Sequence, residues 1–237
     1  MFFQGRQDFA FGLEQGIAGW QRHSGPKALY VGPFGHQPSE FPGPDFEFVM
    51  QRALQWFDVH VAGAAGTPNR PAIELANESG TSVQRYAGLP PTVRHVHFLR
   101  GNATIGASGK VVRRARTTRL LETFGPPTVQ VRASSTTGWS HLVAVLVART
   151  PSGQEIVVSE GGVPTSLTAK PKLFTIRLIS QVTRIPAGSR LELTLAGTST
   201  AQNAGNLLYL VPVPQRARIT VRNVTLMIPA LRTPVSR

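Results

Sequence analysis

Cysteine is absent from the 237 residues, so the chain has no disulfide, no thiol nucleophile and no cysteine-ligated metal, and its redox compartment cannot be read. Acids are scarce, 12 Asp and Glu against 25 Lys and Arg, for a net charge of +13. No apolar run approaches the roughly 18 residues that a membrane-spanning helix needs, so no membrane partner is expected. Met1-Phe2-Phe3 lacks the basic start and apolar stretch of a signal peptide; the compartment stays open, with the cytoplasm favoured. Cofactor loops of the G-x-G-x-x-G or G-x-x-x-x-G-K-S/T kind are missing, and no cofactor is expected. What is abundant is 23 Gly and 19 Pro in a chain only 16% charged but 41% hydrophobic, a composition that suits many short strands joined by turns.

The charge is unevenly placed. Residues 1 to 63 hold four basic and six acidic side chains, a balance of −2, and the remainder holds 21 basic residues against six Glu, a balance of +15. The break coincides with the turn-rich stretch from Gly63 to Pro71, so a first unit over 1–63 and a second over 64–237 are expected.

Within the first unit, Met1 to Gln4 and Ala28 to Val31 read as short buried strands ending at Gly5 and Gly32. Between them Phe9, Leu13, Ile17 and Trp20 recur every three or four residues, the spacing of one helix face, and Gly25-Pro26 stops the helix. Strand, helix, strand in about 30 residues makes a parallel βαβ unit. A second helix is expected from Asp45, which can cap it, with Phe46, Met50, Ala53, Phe57 and Val61 as one stripe. Functional groups of an open parallel sheet gather beyond the carboxyl ends of its strands. There the loops Gly5-Arg6-Gln7-Asp8 and Gly32-Pro33-Phe34-Gly35-His36 place a carboxylate opposite an imidazole, the pairing that orients a catalytic base. A lone Asp and a lone His in loops are more often solvated surface residues, so the pairing alone does not establish catalysis.

Three strings go further: Phe3-Gln4-Gly5-Arg6-Gln7-Asp8, then Tyr30-Val31-Gly32-Pro33-Phe34-Gly35-His36, then Ala53-Leu54-Gln55-Trp56-Phe57-Asp58-Val59-His60-Val61-Ala62-Gly63. In this order they resemble the end of the α/β-hydrolase domain of the cocaine esterase and X-Pro dipeptidyl-peptidase (CocE/NonD-type) family. The resemblance implies that Asp8, in a G-x-x-D loop, is the triad acid and that His36, in a G-P-x-x-H loop, is the triad base. Val61 stands where the family's W-F-D-x-x-L-x-G has Leu.

A jelly-roll β-sandwich follows the hydrolase domain in that family, and residues 72 to 228 read as a sandwich on their own. Leu191, Leu193 and Leu195 alternate with polar residues, as do Thr128 to Arg132 and Ile219 to Arg222, while Leu142 to Val147 is apolar throughout, like a strand covered on both faces. Gly125-Pro126-Pro127-Thr128-Val129 and the stretch from Ile185 to Leu191 also resemble family phrases. The expected fold is mainly β: a jelly-roll β-sandwich preceded by the last βαβ-helix portion of an α/β-hydrolase domain.

No G-x-S-x-G nucleophile elbow occurs, and Gly106-Ala107-Ser108-Gly109 and Gly138-Trp139-Ser140-His141 stand in β-rich context. The resemblance therefore implies that the serine, the oxyanion donors and the pocket precede Met1, that the substrate is a small-molecule ester or a peptide, and that the chain alone is inactive. The rival reading is a non-catalytic basic β-sandwich that binds carbohydrate or an acidic partner. The run from Lys110 to Arg119 would attract nucleic acid, but no recognition helix or aromatic platform accompanies it, and none is expected as a partner. His95 and His97 share a strand face, the minimal spacing of two metal ligands; without a third ligand nearby in sequence they are read as a surface pair, and no metal is expected. His23, His60 and His141 belong to no constellation, and homo-oligomerisation is left open.

Overall fold

Phe2–Gly5 (β1) and Leu29–Gly32 (β2) lie side by side in parallel, Gln4 opposite Val31, as the two apolar runs of the first unit require. A computed structural model describes residues 1–65, 72–106, 109–198 and 216–236. It separates into two compact units, Met1–Pro91 with Arg232–Arg237, and Thr92–Leu231.

In the first unit the crossover helix α1 spans Leu13–Arg22 and α2 spans Phe46–His60. Phe9, expected on the first helix, is buried in the loop before it. The C-terminus of α1 is closed by Lys27, whose Nζ donates to the carbonyls of Gln21 and His23. Ile73–Ala76 (β3) pairs in parallel with β2, and Val83–Tyr86 (β4) closes the sheet antiparallel, giving the order β1-β2-β3-β4. The first unit therefore continues past the expected boundary at residue 63, because β3 and β4 complete its sheet; residues 66–71 of the expected linker lie outside the described residues. All of β2 and β3 is buried, which is why their apolar residues run without alternation.

Besides a two-stranded pair of Leu121–Glu122 (β8) with Arg184–Ile185 (β13), the second unit is built from two large antiparallel sheets. One has the order β11-β10-β14-β7, from Glu155–Leu167 (β11), Trp139–Arg149 (β10), Arg190–Ala196 (β14) and Lys110–Arg116 (β7). The other has the order β12-β9-β15-β5, from Lys172–Arg177 (β12), Thr128–Ser135 (β9), Ile219–Leu231 (β15) and Thr92–Leu99 (β5), with Ala103–Ile105 (β6) also paired to β15. Leu142, Leu146, Leu191, Leu193 and Leu195 of the first sheet share one core with Val129, Val131, Ile219, Val221, Leu226 and Ile228 of the second, which makes the unit a β-sandwich. The alternation read along β9, β14 and β15 is the inward face of this core. On β10 the other face, Val143, Val145 and Val147, is buried as well with Val157 against it, so that strand is apolar throughout.

Candidate active site

Asp8 and His36 leave the carboxyl ends of β1 and β2, which are adjacent and parallel, so their loops meet. Two glycines permit the approach. A Cβ on Gly5 would collide with the Phe34 carbonyl oxygen, and one on Gly35, whose φ of 128° already disfavours side chains, would stand 2.8 Å from the Asp8 carboxylate.

The Asp8 carboxylate is buried, accepts from three backbone amides and faces the His36 ring. Its Oδ1 takes the amides of Ala10 at 2.9 Å and Phe11 at 2.8 Å; its Oδ2 takes the His36 amide at 3.2 Å and faces His36 Nδ1 at 2.9 Å. Burial pushes the Asp8 carboxyl up, but the His36 ring, the Phe11 and His36 amides and the attraction of the imidazole outweigh it and hold the group below the usual carboxylate range. The His36 side chain is 60% exposed, and its Nε2 has no hydrogen-bond partner among the described residues. The Phe11 ring packs against the imidazole, centroids 5.2 Å apart. Gln4 steadies this wall, donating from Nε2 to the Phe11 carbonyl at 2.7 Å. A carboxylate on Nδ1 and an unengaged Nε2 make the pair competent to take a proton from an approaching hydroxyl.

The layer beneath was not legible in the sequence. Asp45 occupies the N-cap position of α2 but makes no side-chain cap bond; its Oδ2 accepts from the Tyr30 hydroxyl at 2.6 Å, and burial raises both groups above their ordinary pKa values. Phe34 stacks on Tyr30 with an interplanar angle of 3°, so the phenol–carboxyl pair props the loop that carries His36. Arg6, fully buried, donates from Nη1 to the Ala76 carbonyl at the end of β3. The two acids, Asp45 as a cap and Asp8 as a loop residue, look alike in sequence; only the strand ends they sit beside distinguish their roles.

The remaining candidates stay apart from this pair. His95 Nε2 lies 3.4 Å from Arg119 Nη2, and His97 Nε2 is buried without a hydrogen-bond partner; burial lowers both rings below the ordinary histidine value. Among the described residues no group of three metal-ligating side chains is assembled. Ser140 bonds His141 Nδ1 on β10, and Ala107 and Ser108 of the Gly106–Gly109 candidate lie outside the described residues.

No family model matches the sequence, and no curated protein sequence does. Solved structures do match. A CocE/NonD family hydrolase from Staphylococcus aureus superposes with a TM-score of 0.77 at 12% identity, over 98% of this chain and 53% of its own length. The chain has the fold of the C-terminal portion of CocE/NonD family hydrolases. An aminopeptidase from a marine sediment archaeon of the Thaumarchaeota gives 0.70 at 13% identity, and an α-amino acid ester hydrolase 0.69 at 14%, each matched over 54% of its length. The chain thus spans about half the length of these structures, and the half it matches is their C-terminal portion.

Proposed function

We propose that this chain is the C-terminal portion of a serine hydrolase of the CocE/NonD kind, acting on acyl esters or on peptides of the X-Pro type, with His36 as the base and Asp8 as the acid of a triad whose serine belongs to polypeptide outside these residues. The observation that carries the reading is the 2.9 Å contact between Asp8 Oδ2 and His36 Nδ1, which leaves Nε2 for substrate chemistry. His36 would take the proton of the serine as it attacks the acyl carbon and return it to the leaving alkoxide or amine. Asp8 holds the tautomer with Nδ1 protonated and stabilises the imidazolium that forms. Jelly-roll connectivity of the sandwich is part of the same reading.

Helix α2 supports it. Phe46, Met50, Leu54, Phe57 and Val61 are all exposed and fall within roughly 80° of the helix circumference. The helix packs instead through Phe48, Arg52 and Trp56, which are half-buried. An apolar flank of this size is what a further layer of a hydrolase domain would cover.

The test is to express the reading frame extended upstream of Met1 and assay p-nitrophenyl esters and an X-Pro anilide. Turnover should fall by roughly 10⁴ with His36→Ala. Undiminished turnover in that variant removes His36 from the mechanism.

A further inference from the structure

The sandwich unit carries the whole of the net charge. Thr92 to Leu231 contains 17 Lys and Arg and four Glu, a balance of +13, whereas the other unit holds eight of each sign. Glu122 and Glu160 are fully buried, and Glu155 and Glu192 are held by Arg114, Arg149 and Arg190 on the sheet of β7, β10, β11 and β14. The outer face of the opposite sheet is left with no carboxylate.

On that face β9 and β15 set Arg132 and Arg222 directly opposite one another, beside a bulge where Asn223 takes a φ of 49°. Arg94 of β5 and Arg177 of β12 line one open groove of about 370 Å³ with Thr92, Met227 and Pro229. None of these four guanidinium groups has a hydrogen bond or ion pair among the described residues. Arg177 pairs with Thr128, four residues along β9 from Arg132 and so about 13 Å from it, while Arg94 and Arg177 stand on the two edge strands with β9 and β15 between them, about 14 Å apart across the sheet. Around them Phe98 is 73% exposed, Leu173 56% and Val96 46%. Like charges facing across strands are destabilising, and large apolar side chains in water are a cost of the same sign; one ligand would relieve both.

We propose that this face docks an acidic amphipathic polypeptide, whose carboxylates meet the Arg132–Arg222 pair and the separate Arg94 and Arg177, and whose apolar side chains cover Val96, Phe98 and Leu173. Guanidinium and carboxylate pair bidentately, and the aliphatic residues between the charges require an apolar partner. A nucleic acid would neutralise the arginines but leave Val96, Leu173 and Met227 uncovered, and among the described residues of this face it finds one exposed ring, Phe98, on which to stack a base, Phe124 of the groove being buried. A second copy offering the same face is repelled by its charge.

The probe is a short fluorescein-labelled peptide with Glu and Leu at amphipathic helical spacing, titrated by anisotropy with the 237-residue chain at physiological salt. Saturable binding is expected, weakened at least about tenfold by Arg132→Glu with Arg222→Glu or by Phe98→Ser, and weaker for an all-Glu peptide. If charge reversal unfolds the sheet, Arg132→Gln with Arg222→Gln carries the same expectation with a smaller change, and circular dichroism reports the fold. The proposal is overturned if these variants bind the peptide as the parent does, or if a single-stranded oligonucleotide or a phosphatidylserine vesicle binds more tightly than the peptide at the same salt.

Discussion

A carboxyl as enclosed as Asp8 would ordinarily keep its proton to higher pH; four hydrogen-bond contacts reverse that. Because its pKa is lowered in the folded state, its contribution to stability is present above the unfolded value and is lost as pH falls through the folded one. Asp8→Asn should cost about 1–3 kcal/mol at neutral pH, and the gap from the parent should close on acidification below about pH 4, measured by urea unfolding at several pH values. Glu160 behaves in the opposite sense, since burial pushes it up to about 8. The unfolded chain ionises it near pH 4.5, so stability should fall as pH rises from there towards 8, at up to about 1.4 kcal/mol per unit, and level off above. Glu160→Gln should flatten that slope in a thermal-unfolding series. Neither shift can be read from sequence, because the burial of both groups and the His36 contact of Asp8 are set by the tertiary fold.

Helix α2 shows how an element can be found without being placed. Its 3.6-residue apolar period is plain in the sequence, and the helix is there, but the stripe does not face the sheet. The side that does is joined to the sheet by charge: buried Glu74 of β3 accepts from Arg52 of α2 at 2.8 Å and from Arg85 of β4 at 3.4 Å. Periodicity ranks faces by hydrophobicity and is blind to a buried ion pair. Glu74→Ala should therefore cost about 3 kcal/mol by removing the buried carboxylate that Arg52 and Arg85 share, whereas Leu54→Glu on the open flank should change stability by less than about 0.5 kcal/mol, both by chemical denaturation. A large loss from Leu54→Glu would mean that the flank is already covered. On β10, Leu146 points into the shared core of the sandwich, and its truncation to Ala should cost about 2–5 kcal/mol.

At the scale of the molecule, charge and architecture divide the chain at different places. Counted over 1–63 and the rest, the balance is −2 and +15; counted over the structural units it is zero and +13. Self-repulsion on the sandwich should make its thermal midpoint rise with sodium chloride between low and physiological ionic strength, and an unchanged midpoint would show that the charges are too dispersed to interact. The sequence by itself determined the strand and helix periods, the loop motifs around Asp8 and His36 and the β-rich second unit, because these depend on neighbours within a few residues. Only the tertiary structure decided that β3 and β4 complete the first sheet, that Asp45 serves Tyr30 rather than a helix end, and that unpartnered arginines gather on one face of the sandwich. Each of these depends on strands paired across tens of residues, whose register no local pattern encodes.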